Sequence, residues 1–169
     1  MNEHSLHLYV GNKISTYFGD AVVRDTACGG THRLPLIYDR PKKRETTFCN
    51  VDMLIYRDTV KVIFEIEEAD IKPTQVFGKF LTSALSRFYE YKGVNKALDK
   101  SLLFIQVLDN IKLKPKTKKF RQFEYLSRAV NRRLTLQDKT IYYRLFSMRA
   151  GDERSMNEII KAVESFLKK

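Results

Sequence analysis

The sequence predicts an α/β fold, a mixed central β-sheet flanked by helices, and three observations carry that prediction. Val60 to Glu67 alternates at period two beside the β-rich run Phe48 to Tyr56. Leu102 to Leu108 is almost wholly apolar, and helical spacing recurs before, between and after these runs. The resulting order, α-β-β-β-α-β-α-β-α, is solved by helices packed on a sheet. At 169 residues, 43% of them hydrophobic, the chain can bury one core and is too short for two ordinary domains. We read 1–169 as a single domain, with a core over about 3–108 and a basic C-terminal extension over 111–169.

The first helix is expected over 3–18, where Leu6, Val10, Ile14, Tyr17 and Phe18 recur at helical spacing and Gly19 supplies a stop. His32 to Tyr38 reads as a strand, confined to an edge or bulge by Pro35, which has no N–H for a ladder. Arg57-Asp58-Thr59 is short enough to join Phe48 to Tyr56 and Val60 to Glu67 as an antiparallel hairpin. In its second arm Val62, Phe64 and Ile66 take one face, and Lys61, Ile63, Glu65 and Glu67 the other. Pro73 opens a helix expected from about Thr74 to Tyr91, with Phe77, Phe80, Leu81, Leu85 and Phe88 as its apolar face and Gly93 at its end. Leu102 to Leu108 suits a strand buried between neighbours. A helix near Phe120 to Arg133 and a strand over Ile141 to Phe146 follow. Ser155-Met-Asn-Glu158 then gives a capping-box pattern before a last helix.

Composition excludes several classes. With 7 Gly and 4 Pro, the chain is not of the disordered type. No window holds the ~18 apolar residues of a membrane span, and Met1 to Val10 lacks the pattern of a signal peptide. Cys28 and Cys49 are too few for a disulfide framework. The expected location is cytoplasmic, in a prokaryotic or viral setting, with no membrane partner. Net charge is +11 and unevenly placed: residues 1–110 hold 15 basic and 14 acidic side chains, residues 111–169 hold 16 and 6. Such a concentrated field suits a polyanion, with nucleic acid the commonest. The candidate phosphate contacts are Lys42, Lys43 and Arg44 in one patch, and Lys112, Lys114, Lys116, Lys118, Lys119 and Arg121 in another. Arg128 and Arg132 extend the Arg121 stripe along the helix, with Tyr125 among them.

The tightest acidic cluster lies on the most apolar hairpin. Glu65 and Glu67 share a strand face, and hairpin pairing brings Asp52 beside them, with Glu68 and Asp70 following. Carboxylates so close repel one another, and burial raises their pKa values unless a counter-charge arrives. A divalent cation with hard oxygen ligands, Mg²⁺ or Mn²⁺, supplies that charge. A polyanion binder with such a pocket matches the needs of metal-assisted phosphodiester hydrolysis.

Asn50-Val51-Asp52-Met53-Leu54-Ile55, a short turn and Val62-Ile63-Phe64-Glu65-Ile66-Glu67 resemble the PD-(D/E)XK nuclease superfamily, which includes type II restriction endonucleases, Holliday-junction resolvases and DNA-repair nucleases. The resemblance spans about residues 3–108 and implies a restriction-endonuclease-like α-β-β-β-α-β core. The sequence departs from the pattern at Val51, where Pro is common, and at Glu67, where Lys is usual; some restriction enzymes of the superfamily carry Glu there. The resemblance implies a Mg²⁺-dependent (or Mn²⁺-dependent) endodeoxyribonuclease acting as a homodimer on DNA. Asp52 and Glu65 would bind the metal, with the Ile66 carbonyl as a further ligand, and Glu67 would be a third ligand or the general base. Lys79, or Lys72, would replace the motif lysine, while Glu3 and Glu45 are weaker acidic candidates. The alternatives are a structure-specific nuclease, of resolvase or repair type, and a catalytically silent nucleic-acid-binding protein. His4-x-x-His7, Cys28-x-x-x-His32 and Cys49 offer spacings a zinc site could use, but no paired Cys-x-x-Cys motif supports one.

Overall fold

A computed structural model describes residues 4–69, 71–91, 93–111, 113, 116–130, 134–136 and 138–168. Along the chain these form α1 (Ser5–Phe18), a 3₁₀ turn (Gly19–Ala21), β1 (Val22–Arg24), β2 (Leu34–Ile37), β3 (Thr47–Val51), β4 (Met53–Tyr56) and β5 (Val60–Glu67). Then follow α2 (Pro73–Leu85), β6 (Phe88–Tyr91), β7 (Val94–Asp109), α3 (Lys118–Val130), β8 (Leu134–Leu136), β9 (Lys139–Met148) and α4 (Glu153–Leu167). Among the described residues no helix is long and apolar enough to cross a membrane.

The sheet is mixed and open. β1, β4 and β5 pair antiparallel, β7 runs parallel to β5, and β9 runs parallel to β7 with β8 beside it. Parallel neighbours need a crossover, and α2 and α3 provide the two. The first part of β7 pairs antiparallel with β6, which leads to β2 and β3. β7 therefore belongs to two half-sheets, and β3 and β4 lie in different ones.

Each face carries its own core. Leu6, Val10 and Ile14 of α1 and Met156, Ile159 and Val163 of α4 cover Val62, Phe64, Ile66, Ile105 and Val107. Phe80 and Ala84 of α2 cover Leu54, Ile63, Phe104 and Tyr143 on the other face. The alternation read in β5 is thus the alternation of two cores. α3 docks through Phe123 onto Ile71, Val76, Leu108 and Leu113. α1 approaches the loop before β2 so closely that a Cβ on Gly11 would lie 2.4 Å from the Cys28 carbonyl oxygen, which is why that position carries glycine. Lys139, buried at the start of β9, donates to the Ser86 carbonyl and ties β9 to the end of α2.

Four expectations are corrected. The helix expected to reach Tyr91 ends at Leu85, and Phe88–Tyr91 is β6. The aromatic spacing continues a helical face on paper, but pairing with β2 and β7 wins, and Gly93 (φ 76) turns the chain between Tyr91 and Val94. The run 48–56 is two strands, because Asp52 interrupts it: its N–H donates to the Phe64 carbonyl and its carbonyl accepts from the Asp25 N–H. The strand expected at 102–108 begins at Val94, since its polar first half is the antiparallel partner of β6. Finally, α4 is capped by Asp152, whose carboxylate accepts from the Ser155 N–H at 3.1 Å, so Ser155 is not the cap.

Candidate active site

Asp52 sits at the break between β3 and β4, where the chain leaves one half-sheet for the other. Its Oδ2 accepts the Ile66 N–H at 2.6 Å, which fixes the carboxylate against β5 between Glu65 and Glu67. The amide of Ile66, rather than its carbonyl, is what this contact engages. Glu65 and Glu67 point toward α2, where Lys79 meets both: its Nζ lies 2.7 Å from Glu67 Oε1 and 3.4 Å from Glu65 Oε2. Lys79 thus reaches back from α2 to both strand glutamates. Lys72, in contrast, precedes α2 at its N-cap.

Glu65 is the most enclosed of these groups, its side chain 0% exposed. Burial pushes its carboxyl well above the usual range; Asp52 and Glu67 push it further, and Lys79 opposes them. Its Oε1 is buried and meets no hydrogen-bond donor among the described residues. Burial also raises Asp52, against the pull of His7, the Ile66 N–H and Lys79. Burial alone would lower Lys79, yet Glu65, Glu67 and Asp52 outweigh it and hold the ammonium above its ordinary value. Carboxylate oxygens are the hard donors that Mg²⁺ and Mn²⁺ prefer, and the buried Glu65 Oε1, without a donor among the described residues, is one of them.

His7, read in the sequence only within a zinc spacing, lies beside Asp52 and Glu68. His7 lies on the buried stripe of α1, its Nε2 3.7 Å from Asp52 Oδ2, and its Nδ1–H donates to Glu68 Oε2 at 2.5 Å. Glu68 also accepts from the Leu6 N–H at 2.6 Å and the Ser5 hydroxyl at 3.3 Å. It thus serves as a remote cap for α1, whose own N-cap residue His4 (φ 74) makes no side-chain cap bond. Among the described residues, His4, His7 and Glu68 alone bring three metal-type donors within 4.8 Å of one another. Asp52, Glu65 and Glu67 form a looser group with Lys79 lodged at Glu65 and Glu67. A signal for His7 existed: it shares the helical stripe of Val10, Gly11 and Ile14.

Partial burial pushes Glu68 upward, but the His7 ring and the Leu6 N–H outweigh it and hold the carboxyl below its usual value. A depressed folded-state pKa stabilises the fold above the unfolded value and is lost as pH falls through the folded one. Glu68→Ala is accordingly expected to cost about 1 kcal/mol at pH 7. In urea titrations the difference from the unsubstituted protein should shrink in acid.

The predicted cations fall in several places. Lys112, Lys114 and Arg132, with Glu3 and Asp70, lie outside the described residues. Lys116, Lys118, Arg121 and Arg128 are exposed and Lys119 is half-buried. Arg121 lines a hollow of about 500 Å³ with Tyr125 and the first residues of α2, Pro73 and Thr74. Lys42 pairs with Glu90 at 3.0 Å and Lys43 approaches Glu45 at 3.8 Å, while Arg44 is exposed. The zinc spacings do not assemble with cysteine: Cys28 is in the α1–α4 core, where burial pushes its thiol up, and both cysteines are free.

No family model, no curated protein and no solved structure matches this chain.

Proposed function

We propose that the chain is a metal-dependent endodeoxyribonuclease of restriction-endonuclease-like type. The observation that carries this reading is the buried Glu65 carboxylate, with one orphaned oxygen, set between Asp52 and Lys79 in a protein of net charge +11. Buried carboxylates held against one another are costly, and cation binding is the use that offsets the cost.

Asp52 and Glu65 would hold Mg²⁺ or Mn²⁺, with Glu67 at the rim. Such an ion supplies positive charge to a phosphodiester and acidifies a water. The chain's own residues do the rest. The Ile66 N–H keeps Asp52 in one orientation. Lys79 keeps Glu65 and Glu67 facing the same point and lends a cation to the phosphate. Glu67, less buried than Glu65, accepts the proton of the attacking water. Attack of that water on phosphorus forms one P–O bond and breaks the bond to the 3′ oxygen, which takes a proton from solvent and leaves as a 3′ hydroxyl, so the other fragment keeps a 5′-phosphate. Exposed cations, Arg121 and Arg128 among them, hold the backbone. Two copies related by a two-fold axis would cut both strands.

Incubation of supercoiled plasmid with Mg²⁺ or Mn²⁺ tests this reading. The protein is expected to nick or linearise it, and Asp52→Asn, which retains an acceptor for the Ile66 N–H, to be about 10³-fold slower. Cleavage undiminished in Asp52→Asn, or none with either ion, overturns the reading.

A further inference from the structure

Two hollows lie apart from the carboxylates, one beside β2, β3 and β6 and one between β1, β4, β6 and the first residues of β7. The larger, about 580 Å³, is lined by His32, Arg33, Asn50 and Tyr91 and by Lys42 with its ion-pair partner Glu90, among others. The smaller, about 290 Å³, is lined by Val23, Tyr56, Tyr89, Tyr91, Val94 and Lys96. Tyr91 belongs to both. Its ring stacks on His32 with centroids 3.9 Å apart and lies nearly parallel to Tyr89, at 6° and 6.4 Å. Lys96 sits 4.8 Å from the centroid of the Tyr56 ring. The result is a row of aromatic rings edged by cations, in cavities near the roughly 300–1,000 Å³ span of small-ligand sites.

Flat rings with interleaved Lys and Arg recognise unpaired bases through stacking and the connecting phosphates through charge. Asn50 adds an exposed amide able to donate to and accept from a base edge. Asn50 lies on β3 two residues before Asp52 in the chain. We infer that this surface binds unpaired nucleotides of a nucleic-acid strand, one base meeting the His32–Tyr91 pair and a neighbour entering beside Tyr56. Its role in cleavage, directing the enzyme to substrates with single-stranded segments, rests on the nuclease reading above; the binding itself does not.

The test is fluorescence anisotropy in EDTA at fixed salt, with labelled twelve-nucleotide oligothymidylate, oligouridylate and a blunt duplex of equal length. The protein is expected to bind both single strands, and the ratio between them separates DNA from RNA as the source. Tyr91→Ala should weaken single-strand binding about five- to hundredfold, the range for loss of one base–aromatic stack, with Tyr91→Phe within about twofold of the unsubstituted protein. Because Tyr91 is partly packed, Lys96→Gln provides a second reading: its salt dependence should be shallower by about 0.7 in log–log slope. Loss of duplex binding in Tyr91→Ala equal to its loss of single-strand binding overturns the inference. So does unchanged single-strand binding in both Tyr91→Ala and Lys96→Gln, each shown folded by circular dichroism. Since EDTA prevents metal-dependent cutting, single-strand binding without any cleavage in Mg²⁺ or Mn²⁺ upholds the platform while removing the nuclease.

Discussion

Glu65→Gln is expected to reduce metal-dependent cleavage by about 10³-fold or more and, without metal, to raise the unfolding temperature at pH 8. Both effects have one origin. The Glu65 side chain is fully enclosed and one of its oxygens meets no donor among the described residues. Burial, reinforced by Asp52, holds its folded-state pKa well above the ordinary carboxylate value. The folded protein then takes up a proton more readily than the unfolded chain, so ionised Glu65 opposes folding. Its contribution is most favourable below the unfolded-state pKa, about 4.3, and is lost as pH rises toward the folded-state value. Glutamine keeps the shape and removes the charge, and Lys79 retains Glu67 as its partner. Thermal unfolding of the two proteins across pH should therefore converge in acid and separate in mild alkali. The slope should be flatter but not absent in the variant, because Asp52, raised in the same direction, remains. Added Mn²⁺ at about 100 times its dissociation constant should stabilise the unsubstituted protein by about 2.7 kcal/mol and the variant hardly at all.

Lys79→Met is expected to act in the opposite sense on stability. It removes the cation lying 3.4 Å from Glu65 and 2.7 Å from Glu67, leaving three carboxylates without that charge. Loss of one partner of a fully buried pair costs about 3–5 kcal/mol. Lys79 is 41% exposed and solvent screens part of its field, so about 2 kcal/mol at neutral pH is the expected loss. The deficit should fade as pH drops and Glu65 takes up a proton. Combining Lys79→Met with Glu65→Gln should restore most of the stability and none of the cleavage, a coupling that urea unfolding of the double-mutant cycle measures directly.

How much of this was legible in the sequence differs from residue to residue. The two faces of β5 were, because Val62, Phe64 and Ile66 alternate with Ile63, Glu65 and Glu67, and each set meets its own core. The resemblance implied Lys72 or Lys79 as the nearby lysine, and the structure sets Lys79 against Glu65 and Glu67. The end of α2 was not legible: Phe88 continues a helical apolar face, and only partners 51 residues back in β2 and just ahead in β7 make it a strand. β1 and β8, three residues each, carry too little pattern to be seen. The break at Asp52 is likewise invisible locally, for nothing in an apolar run says that its halves pair with different neighbours. His7 and Glu68 meet across 61 positions. No spacing rule spans that distance, although a histidine within a buried helical stripe was a hint.

Calorimetric titration with Mn²⁺ at neutral pH, comparing the unsubstituted protein with an Asp52→Asn/Glu65→Gln double variant, tests most directly whether these carboxylates hold a cation. Saturable binding by the first and none by the second is the result predicted here. Equal binding by both would contradict it and move the ion to His4, His7 and Glu68, the other donors within reach; no binding by either would leave the buried carboxylates without the partner on which the nuclease reading depends.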